Sequence, residues 1–356
     1  MHSEEYNVIG LMSGTSLDGL DIVYTKLSFF NGSWNFELVE ATTIQYSNKW
    51  HQRLKKAHKN KPKELDTLDK EYGLFLGGQI NSFIKKYKIQ KVDLVASHGH
   101  TVLHQPEKKI TVQIGNGLKI AKKTGITCIY DFRTSDVKMG GQGAPLVPIG
   151  DHFLFNDYDY CLNLGGIANI SFKQKKKRIA YDICPANMVL NKLARKANLD
   201  YDNGGKLASK GSIIETLLDL LNSLHYYQIP FPKSMGREWV KAEIKPILKA
   251  SQQFTLEDQL ATFCEHIAIQ IHKSLPSSGK LLITGGGAHH TFLVNRIRHH
   301  CSSNKVIIPT TIIVEFKEAL IFALLGVLRY RNEINVLASV TGAPHDHSGG
   351  VIAYAS

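Results

Sequence analysis

Apolar residues in the first half of the chain follow two patterns that alternate along the sequence. From Lys63 to Tyr87 they recur every three or four positions, which is the spacing of one helix face. Short apolar runs predict strands over residues 8–12, 20–24, 92–97, 110–114 and 127–131. Strands that alternate with helices predict an α/β fold.

The second half repeats this order. Strands are predicted over residues 160–164 and 167–172, joined by a Gly165-Gly166 turn, and over 179–182 and 281–284. Helices are predicted over residues 185–197, 211–225, 256–275 (capped by Thr255), from 291 onward, and 318–331. Because both halves open with strand, glycine turn and strand, the sequence predicts a duplicated architecture. The predicted domains are 1–150 and 151–356, with the Gly- and Pro-rich stretch 134–150 as a functional loop or an interdomain crossing.

The first turn, over residues 13–19, carries the densest candidate chemistry. Hydroxyls of Ser13, Thr15 and Ser16 and backbone N–H groups can surround an anion there, and glycines allow its close approach. Asp18 and Asp21 are placed to hold a cation that balances phosphate charge. Ser, Gly and Asp are also ordinary turn residues, so a simple tight hairpin remains the alternative.

Composition narrows the function class. The 356 residues carry a formal net charge of +12, which makes nucleic acid a partner to consider. The lysines fall in loops and on helix faces without interleaved aromatic residues, so we expect no nucleic-acid binding. No signal peptide or membrane span is predicted, and five scattered cysteines indicate reduced thiols in the cytoplasm.

Further motifs follow in order along nearly the whole chain. Glycine turns close predicted strands at 165–166 and 285–287, and none matches a Walker loop or the dinucleotide-binding fingerprint. The ordered motifs are Gly10-Leu-Met-Ser-Gly-Thr-Ser-Leu-Asp-Gly-Leu-Asp21, Ser97-His-Gly-His-Thr101, Val112-Gln-Ile-Gly115, Asp131-Phe-Arg133, Gly140-Gly-Gln-Gly-Ala-Pro-Leu-Val-Pro148, Asn163-Leu-Gly-Gly-Ile-Ala-Asn169, Asp182 with Pro185 and Asn187, Lys233-Ser-Met-Gly-Arg-Glu238, Thr284-Gly-Gly-Gly-Ala288 and Glu318-Ala319. With these motifs the chain resembles the anhydro-N-acetylmuramic acid kinase family.

The resemblance implies two ribonuclease H-like domains of the actin-like ATPase type with ATP in a cleft between them. It implies an ATP-dependent kinase of peptidoglycan recycling that hydrolytically opens 1,6-anhydro-N-acetylmuramic acid and phosphorylates O6, giving N-acetylmuramic acid 6-phosphate. The expected partners are this amino sugar and ATP with Mg²⁺. We expect no membrane partner, and a homodimer is left open.

The resemblance also implies roles for individual residues. Asp182 is the expected general base that activates water. The expected ATP-binding residues are Gly14, Thr15, Ser16, Leu17, Asp18, Gly19, Leu20, Asp21, Gly165, Gly166, Gly285, Gly286 and Gly287. Asp18 and Asp21 are the candidates for Mg²⁺, and the expected sugar-binding residues are His98, Gln113, Asp131, Arg133 and Glu318.

Several of these residues could instead have a purely structural role. Asp182 precedes a predicted helix that starts at Pro185, so it could be a helix cap. Glu318 opens a predicted helix, where a carboxylate also complements the helix dipole. The sugar-pocket candidates could instead be satisfied structural hydrogen-bonding groups.

The chain departs from the family around the expected base. The family motif Asp-Thr-Gly-Pro-Gly-Asn reads Asp182-Ile-Cys-Pro-Ala-Asn187 here, and His100 stands where the family commonly has Gln. These changes leave open a kinase for a related amino sugar, or a nucleotide-gated sugar-binding sensor on the same fold. A sugar hydrolase that uses Asp182 and Glu318 would leave three glycine turns unexplained.

Overall fold

The structure, a computed structural model, describes residues 4–355 and contains two compact units. The first unit comprises the chain up to Leu154 together with the residues from Phe316 onward, and the second is Phe155–Glu315. The strands are β1 (Glu4–Ser13), β2 (Leu20–Phe30), β3 (Ser33–Ile44), β4 (Leu94–Gln105), β5 (Ile110–Ile114), β6 (Cys128–Tyr130), β7 (Tyr160–Leu164), β8 (Ile167–Gln174), β9 (Lys177–Pro185), β10 (Lys280–Thr284), β11 (Lys305–Ile307) and β12 (Val351–Ala353).

Helices connect these strands, and short 3₁₀ turns supplement them. A π-helical turn, Val240–Ile244, joins the eighth and ninth α-helices. The α-helices are α1 (Asn48–Lys56), α2 (Pro62–Tyr87), α3 (Gly117–Thr124), α4 (Thr134–Lys138), α5 (Val147–Leu154), α6 (Asn187–Ala194), α7 (Glu215–Asn222), α8 (Arg237–Trp239), α9 (Lys245–Ala250), α10 (Leu256–Lys273), α11 (Thr291–His300), α12 (Thr311–Tyr330) and α13 (Ala338–Thr341).

The sheet of the first unit is mixed. Its strands lie in the order β12-β6-β4-β1-β2-β3, and β5 pairs with β4. The strands β1, β2 and β3 form an antiparallel meander, whereas β4 runs parallel to both β1 and β6. Apolar residues of β1, β2 and β4 form one buried cluster with Tyr72, Leu76 and Ile80 of α2. This burial fixes the strand ends on which the predicted site residues lie.

The sheet of the second unit has the order β11-β10-β7-β8-β9. Its meander is β7, β8 and β9, and β10 runs parallel to both β7 and β11. Helix α10 packs its apolar face, including Leu260, Phe263 and Ile267, into the core of this unit. The N-cap prediction for this helix is confirmed, since the Thr255 hydroxyl accepts a 3.1 Å hydrogen bond from the Asp258 N–H.

The structure differs from the predicted elements at several places. The prediction lacked the helices α3, α8, α9 and α13 and the short strands β11 and β12. Strand β3 was not predicted, because its mixed side chains lack regular alternation and only pairing with β2 fixes them. The predicted loop 134–150 contains the short helices α4 and α5. Helix α6 begins at Asn187, since Pro185 ends β9 instead of starting the helix.

A further difference concerns Glu318, which does not open a helix. It lies inside α12, which begins at Thr311, so the first-turn alternative for this carboxylate was wrong. The apolar stretch from Ala319 to Leu328 led to the prediction. The first turn was missed because residues 311–314, Thr-Ile-Ile-Val, are all β-branched and do not favour a helix.

The observed units also differ from the predicted division at residue 150. The chain from Phe316 returns to the first unit, because β12 pairs with β6 and Thr341 bonds to Asp136. Local sequence patterns could not predict this return, because the contacting residues Asp136 and Thr341 lie 205 positions apart in the sequence. Among the helices of residues 4–355, none is long and apolar enough to cross a membrane.

Candidate functional site

The turn between β1 and β2 presents its polar residues outward. Gly14 and Leu17 close it with a 3.2 Å hydrogen bond from the Leu17 N–H to the Gly14 carbonyl, and Leu17 has a φ of 64°. Thr15, Ser16 and Asp18 are exposed. Gly19 and Leu20 then re-enter the sheet and are buried. A Cβ atom at Gly19 would lie 2.6 Å from the Thr43 methyl carbon, so only glycine fits there.

Behind this turn, four side chains form a buried hydrogen-bonded chain. The Tyr46 hydroxyl donates to Ser13 Oγ at 2.7 Å, and Ser13 Oγ lies 3.0 Å from His100 Nδ1. The hydroxyls of Tyr46 and Tyr72 are 2.7 Å apart. Burial lowers the pKa of His100 to about 4, so the imidazole is neutral near pH 7 and its Nδ1 accepts the Ser13 proton.

His98 and Arg133, predicted as neighbours in a sugar pocket, contact one another directly. The Arg133 guanidinium donates to His98 Nε2 at 3.1 and 2.9 Å and to the Gly143 carbonyl at 2.6 Å. His98 Nδ1 donates to the Gly99 carbonyl at 2.9 Å. Both ring nitrogens of His98 therefore have protein partners, and burial together with the Arg133 charge holds its pKa well below the ordinary value.

Glu318 shares this environment. Burial raises the pKa of its carboxyl, the Arg133 charge lowers it, and the Asp21 charge adds to the increase. Burial likewise lowers the pKa of Arg133 to about 10, against the attraction of Glu318 and Asp136. For both groups the effect of desolvation on the pKa outweighs the attraction between opposite charges, so both lie in an environment poor in water.

Asp131 and Gln113 lie on neighbouring parts of the same unit. Asp131 follows β6 with a φ of 51°, and its carboxylate accepts a 3.3 Å bond from the Thr134 N–H. Burial raises the pKa of this carboxyl. The Gln113 side-chain amide donates to the Thr111 hydroxyl at 2.8 Å, whereas its buried Oε1 has no partner within residues 4–355. Gln113 thus holds an unused acceptor.

In the second unit, the two glycine turns lie at the ends of adjacent strands. Strand β10 runs beside β7 with Thr284 opposite Asn163, so the turns Gly165-Gly166 and Gly285–Gly287 start at the same sheet edge. Gly285 has a φ of 81°, and a Cβ there would lie 2.4 Å from Asn163 Oδ1. The Asn187 amide donates to the Leu164 carbonyl at 2.9 Å and so holds the start of the Gly165-Gly166 turn.

Asp182 lies near the end of β9 in this unit. The Met235 N–H donates to its Oδ2 at 3.0 Å, and the Asp182 carbonyl accepts from the Tyr226 hydroxyl at 2.7 Å. Burial raises the pKa of the carboxyl, and the bond from Met235 partly offsets this. The carboxylate does not cap α6, since the N-cap residue is Ala186 and no side chain caps that helix.

The residues that depart from the family motif point into the core of the second unit. Ile183, Cys184 and Ala186 are all buried within its apolar cluster. Ile183 is also the extra residue of a β-bulge, since Asn169 pairs with Asp182 and Ala168 pairs with Cys184. The altered residues therefore change the packing behind Asp182.

Three features were missed in the sequence. The Met235 contact uses a backbone N–H, which no residue type signals. The Tyr226 bond joins positions 44 apart. Asp136, which accepts a 2.6 Å bond from the Gly143 N–H, could have been suspected from an acidic residue just before a glycine-rich loop.

Comparison with known proteins identifies the family. The family model described as anhydro-N-acetylmuramic acid kinase matches residues 6–355. Anhydro-N-acetylmuramic acid kinase of Synechococcus elongatus is 33% identical, with 94% of this chain and 96% of that protein covered. The same kinase of Vibrio cholerae is 34% identical, with 97% and 98% covered. The chain belongs to this family.

Membership in the anhydro-N-acetylmuramic acid kinase family makes the chain a sugar kinase, and the predicted α/β class with two sheets is confirmed. Among solved structures, the activator of 2-hydroxyisocaproyl-CoA dehydratase from Clostridium difficile, with bound ADPNP, has a TM-score of 0.43 at 13% identity. That likeness covers 90% of this chain and 94% of the other.

Proposed function

We propose that this protein is an ATP-dependent kinase of peptidoglycan recycling that opens 1,6-anhydro-N-acetylmuramic acid and phosphorylates its O6. One sugar, one ATP and one water give N-acetylmuramic acid 6-phosphate and ADP. The observation that carries the proposal is the family match over residues 6–355. The core-facing positions of Ile183, Cys184 and Ala186 give no reason to favour a different sugar.

Asp182 supplies the general base in this proposal. Water attacks C1 of the sugar while Asp182 takes a proton from it, the C1–O6 bond breaks, and O6 bonds to the γ-phosphorus as ADP leaves. Burial raises the pKa of Asp182, which makes its carboxylate a stronger base than an ordinary aspartate. Its supporting strand end is fixed by the Tyr226 and Met235 bonds.

The glycine turns serve ATP in this proposal. The turn from Gly14 to Asp21 and the Gly165-Gly166 turn bind phosphates through backbone N–H groups, and Gly285–Gly287 allows the adenosine to approach the backbone. Thr15 and Ser16 on the first turn are exposed, as a contact with phosphate requires.

Mg²⁺ would accompany ATP, bound mostly by phosphates and water with one or two carboxylates. No group of three His, Cys, Asp or Glu suited to a metal occurs among residues 4–355. Two carboxylates, Asp18 and Asp21, fit an ion that ATP brings with it. Asp21, held by a 2.6 Å bond from the Thr43 hydroxyl, is the better placed carboxylate, and Asp18 is exposed in the turn. Mg²⁺ would neutralise phosphate charge.

The first unit supplies sugar contacts in this proposal. Arg133 and Glu318 offer a cationic donor and a carboxylate acceptor, and Gln113 offers its unused Oε1. His98 is fully occupied by Arg133 and the Gly99 carbonyl, so its proposed part is to orient Arg133. Asp131, which directly follows β6, is the remaining proposed sugar contact.

A coupled ADP-release assay with synthetic 1,6-anhydro-N-acetylmuramic acid tests the proposal, with the sugar product followed by mass spectrometry. We expect one ADP per product molecule, and a product heavier than the substrate by water plus a phosphoryl group. The 1,6-anhydro sugar of N-acetylglucosamine, which lacks the lactyl group, is the comparison substrate. ATP binding without turnover of the muramic acid substrate would contradict the proposed activity.

A further inference from the structure

The motif Lys233-Ser-Met-Gly-Arg-Glu238 lies in the second unit, the unit that also carries Asp182. Its first four residues form an irregular segment, residues 233–236, that precedes α8. This 233–236 segment lies against the end of β9, about 50 residues earlier in the chain. Met235 within it is 8% exposed, so the segment is packed into the second unit.

Two backbone groups of the segment enclose Asp182. The Asp182 N–H donates to the Lys233 carbonyl at 3.2 Å, and the Met235 N–H donates to Asp182 Oδ2 at 3.0 Å. The same residue is thus bound once through its main chain and once through its carboxylate. Within residues 4–355 no hydrogen bond reaches Oδ1, which leaves that oxygen to take a proton.

The segment is itself anchored. The Lys233 ammonium donates to the Tyr226 carbonyl at 3.1 Å and lies 4.7 Å from the centre of the Tyr226 ring. The Tyr226 hydroxyl in turn donates to the Asp182 carbonyl at 2.7 Å. Asp182, Lys233 and Tyr226 therefore form a closed ring of contacts that restricts the position of the carboxylate.

The titratable groups around Asp182 come from three elements. Tyr181 and Cys184 lie on β9, Tyr226 lies in the 3₁₀ turn His225–Gln228, and Lys233 lies on the segment. Burial raises the pKa of the Cys184 thiol and of the Tyr226 hydroxyl, so both are neutral near pH 7. Burial lowers the pKa of Lys233, whose ammonium is directed to a carbonyl. The hydrogen bond from Met235 is thus the direct polar contact to the carboxylate.

We infer that Met235, through its backbone N–H, is a positioning residue that orients the Asp182 carboxylate and favours its ionised form. A hydrogen bond to one oxygen stabilises the anion and fixes the carboxyl plane, which directs Oδ1. The hydrogen bond from Met235 to Asp182 exists without substrate. Its importance for catalysis rests on the proposed function.

Two substitutions at one position separate the N–H from the side chain. Met235→Pro removes the donor, whereas Met235→Ala removes the side chain and keeps the donor. The pKa of Asp182 can be measured from the ¹³C shift of its carboxyl carbon in the sugar-free protein. We expect Met235→Pro to raise this pKa relative to Met235→Ala, because the ionised form loses a charge-assisted bond.

Turnover supplies the second readout. We expect the acid limb of kcat to move to higher pH in Met235→Pro, with a roughly ten- to hundredfold loss on the acid side relative to Met235→Ala. ATP binding by calorimetry reports folding of each variant. Equal pKa values in the two folded variants, or an equal loss of kcat at every pH, would overturn the inference.

If Met235→Pro does not fold, Tyr226→Phe takes its place. It removes the hydroxyl bond to the Asp182 carbonyl and loosens the contact ring, so we expect a smaller rise in the Asp182 pKa. No rise would overturn the inference. The NMR titration needs no turnover, so an inactive wild-type protein would contradict the proposed function without affecting this test.

Discussion

The two units share one sheet plan and use it differently. In each, an antiparallel meander of three strands is followed by two parallel strands, in the orders β3-β2-β1-β4-β6 and β9-β8-β7-β10-β11. The corresponding hairpin turns lie after β1 and after β7. In the first unit, the charges of Asp21 and Arg133 both act on Glu318. The second unit carries glycine turns and the half-buried carboxylate of Asp182.

The difference shows that the same sheet order can place a carboxylate near a full positive charge or beside a neutral hydrogen-bond donor. Glu318 is half-buried, and the charge of Arg133 favours its ionised form. Asp182 is half-buried, with a backbone N–H as its direct polar contact. A carboxylate stabilised by a neutral donor stays more basic than one stabilised by a full charge. If the proposed function holds, we expect the second unit to supply proton abstraction and the first to supply binding and orientation of the sugar.

Removing the carboxylate of the second unit should have the largest effect. We expect Asp182→Asn to lower kcat by roughly 10²–10⁴-fold, because a positioned general base contributes about that much. ATP binding should be unchanged, as measured by calorimetry. Asp157→Asn, at an exposed aspartate of the same unit, is the matched control. Turnover retained in Asp182→Asn would remove the contrast between the units.

The same substitution should stabilise the fold. Burial raises the pKa of folded Asp182 above its unfolded value, so ionisation costs the folded state free energy above the unfolded value of about 3.9. Below about pH 3 the carboxyl is protonated in both states and the cost vanishes. We expect Asp182→Asn to unfold at a higher temperature than the wild type at pH 7 and at an equal temperature near pH 3.

In the first unit, we expect Arg133→Met to lower kcat/KM for the sugar by roughly ten- to hundredfold, because Glu318 loses its cation and two acceptors lose donors. The loss of the cation also raises the pKa of Glu318 further, so the loss should vary with pH. Arg298→Met, at an exposed arginine, is the control. An effect confined to ATP affinity would assign Arg133 to the nucleotide.

A smaller effect should follow from Gly285→Ala. Gly285 has a φ of 81° and a ψ of 164°, a conformation that is almost restricted to glycine, so alanine there costs about 1–3 kcal/mol of backbone strain. Gly32, with a φ of 79°, is a control that also has a positive φ. At Gly285 the new Cβ would also meet Asn163 Oδ1 at 2.4 Å, whereas nothing lies within 4 Å at Gly32. We expect KM for ATP to rise by roughly tenfold in Gly285→Ala and to stay unchanged in Gly32→Ala. Equal KM values would argue against a nucleotide role for this turn.

The smallest effect should come from His100→Gln, which restores the residue common in the family. A glutamine carbonyl can accept the Ser13 hydroxyl proton in place of Nδ1, so kcat/KM should change by less than about threefold. His100→Ala should lower the free energy of unfolding by about 1–3 kcal/mol, because Ser13 loses its buried partner. A large change in His100→Gln would give this histidine a direct sugar contact.

The sequence by itself determined the α/β class, the repeated hairpins and the residues gathered at strand ends. Apolar periodicity fixes which segments are helices and strands, and glycine marks where strands must turn. The helix Pro62–Tyr87 and the strand pairs β1–β2 and β7–β8 were predicted on these grounds. The ordered motifs were enough to identify the family.

Tertiary structure alone decided which of these residues have partners. The return of the chain to the first unit, the position of Glu318 inside α12 and the strand β3 depend on contacts between distant segments. The bond from the Met235 N–H to Asp182 depends on the backbone, which carries no residue-type signal. The core-facing side chains of Ile183 and Cys184 depend on a bulge in β9. Local sequence sets local conformation, but the burial and hydrogen bonds that tune a carboxylate arise only when remote segments pack together.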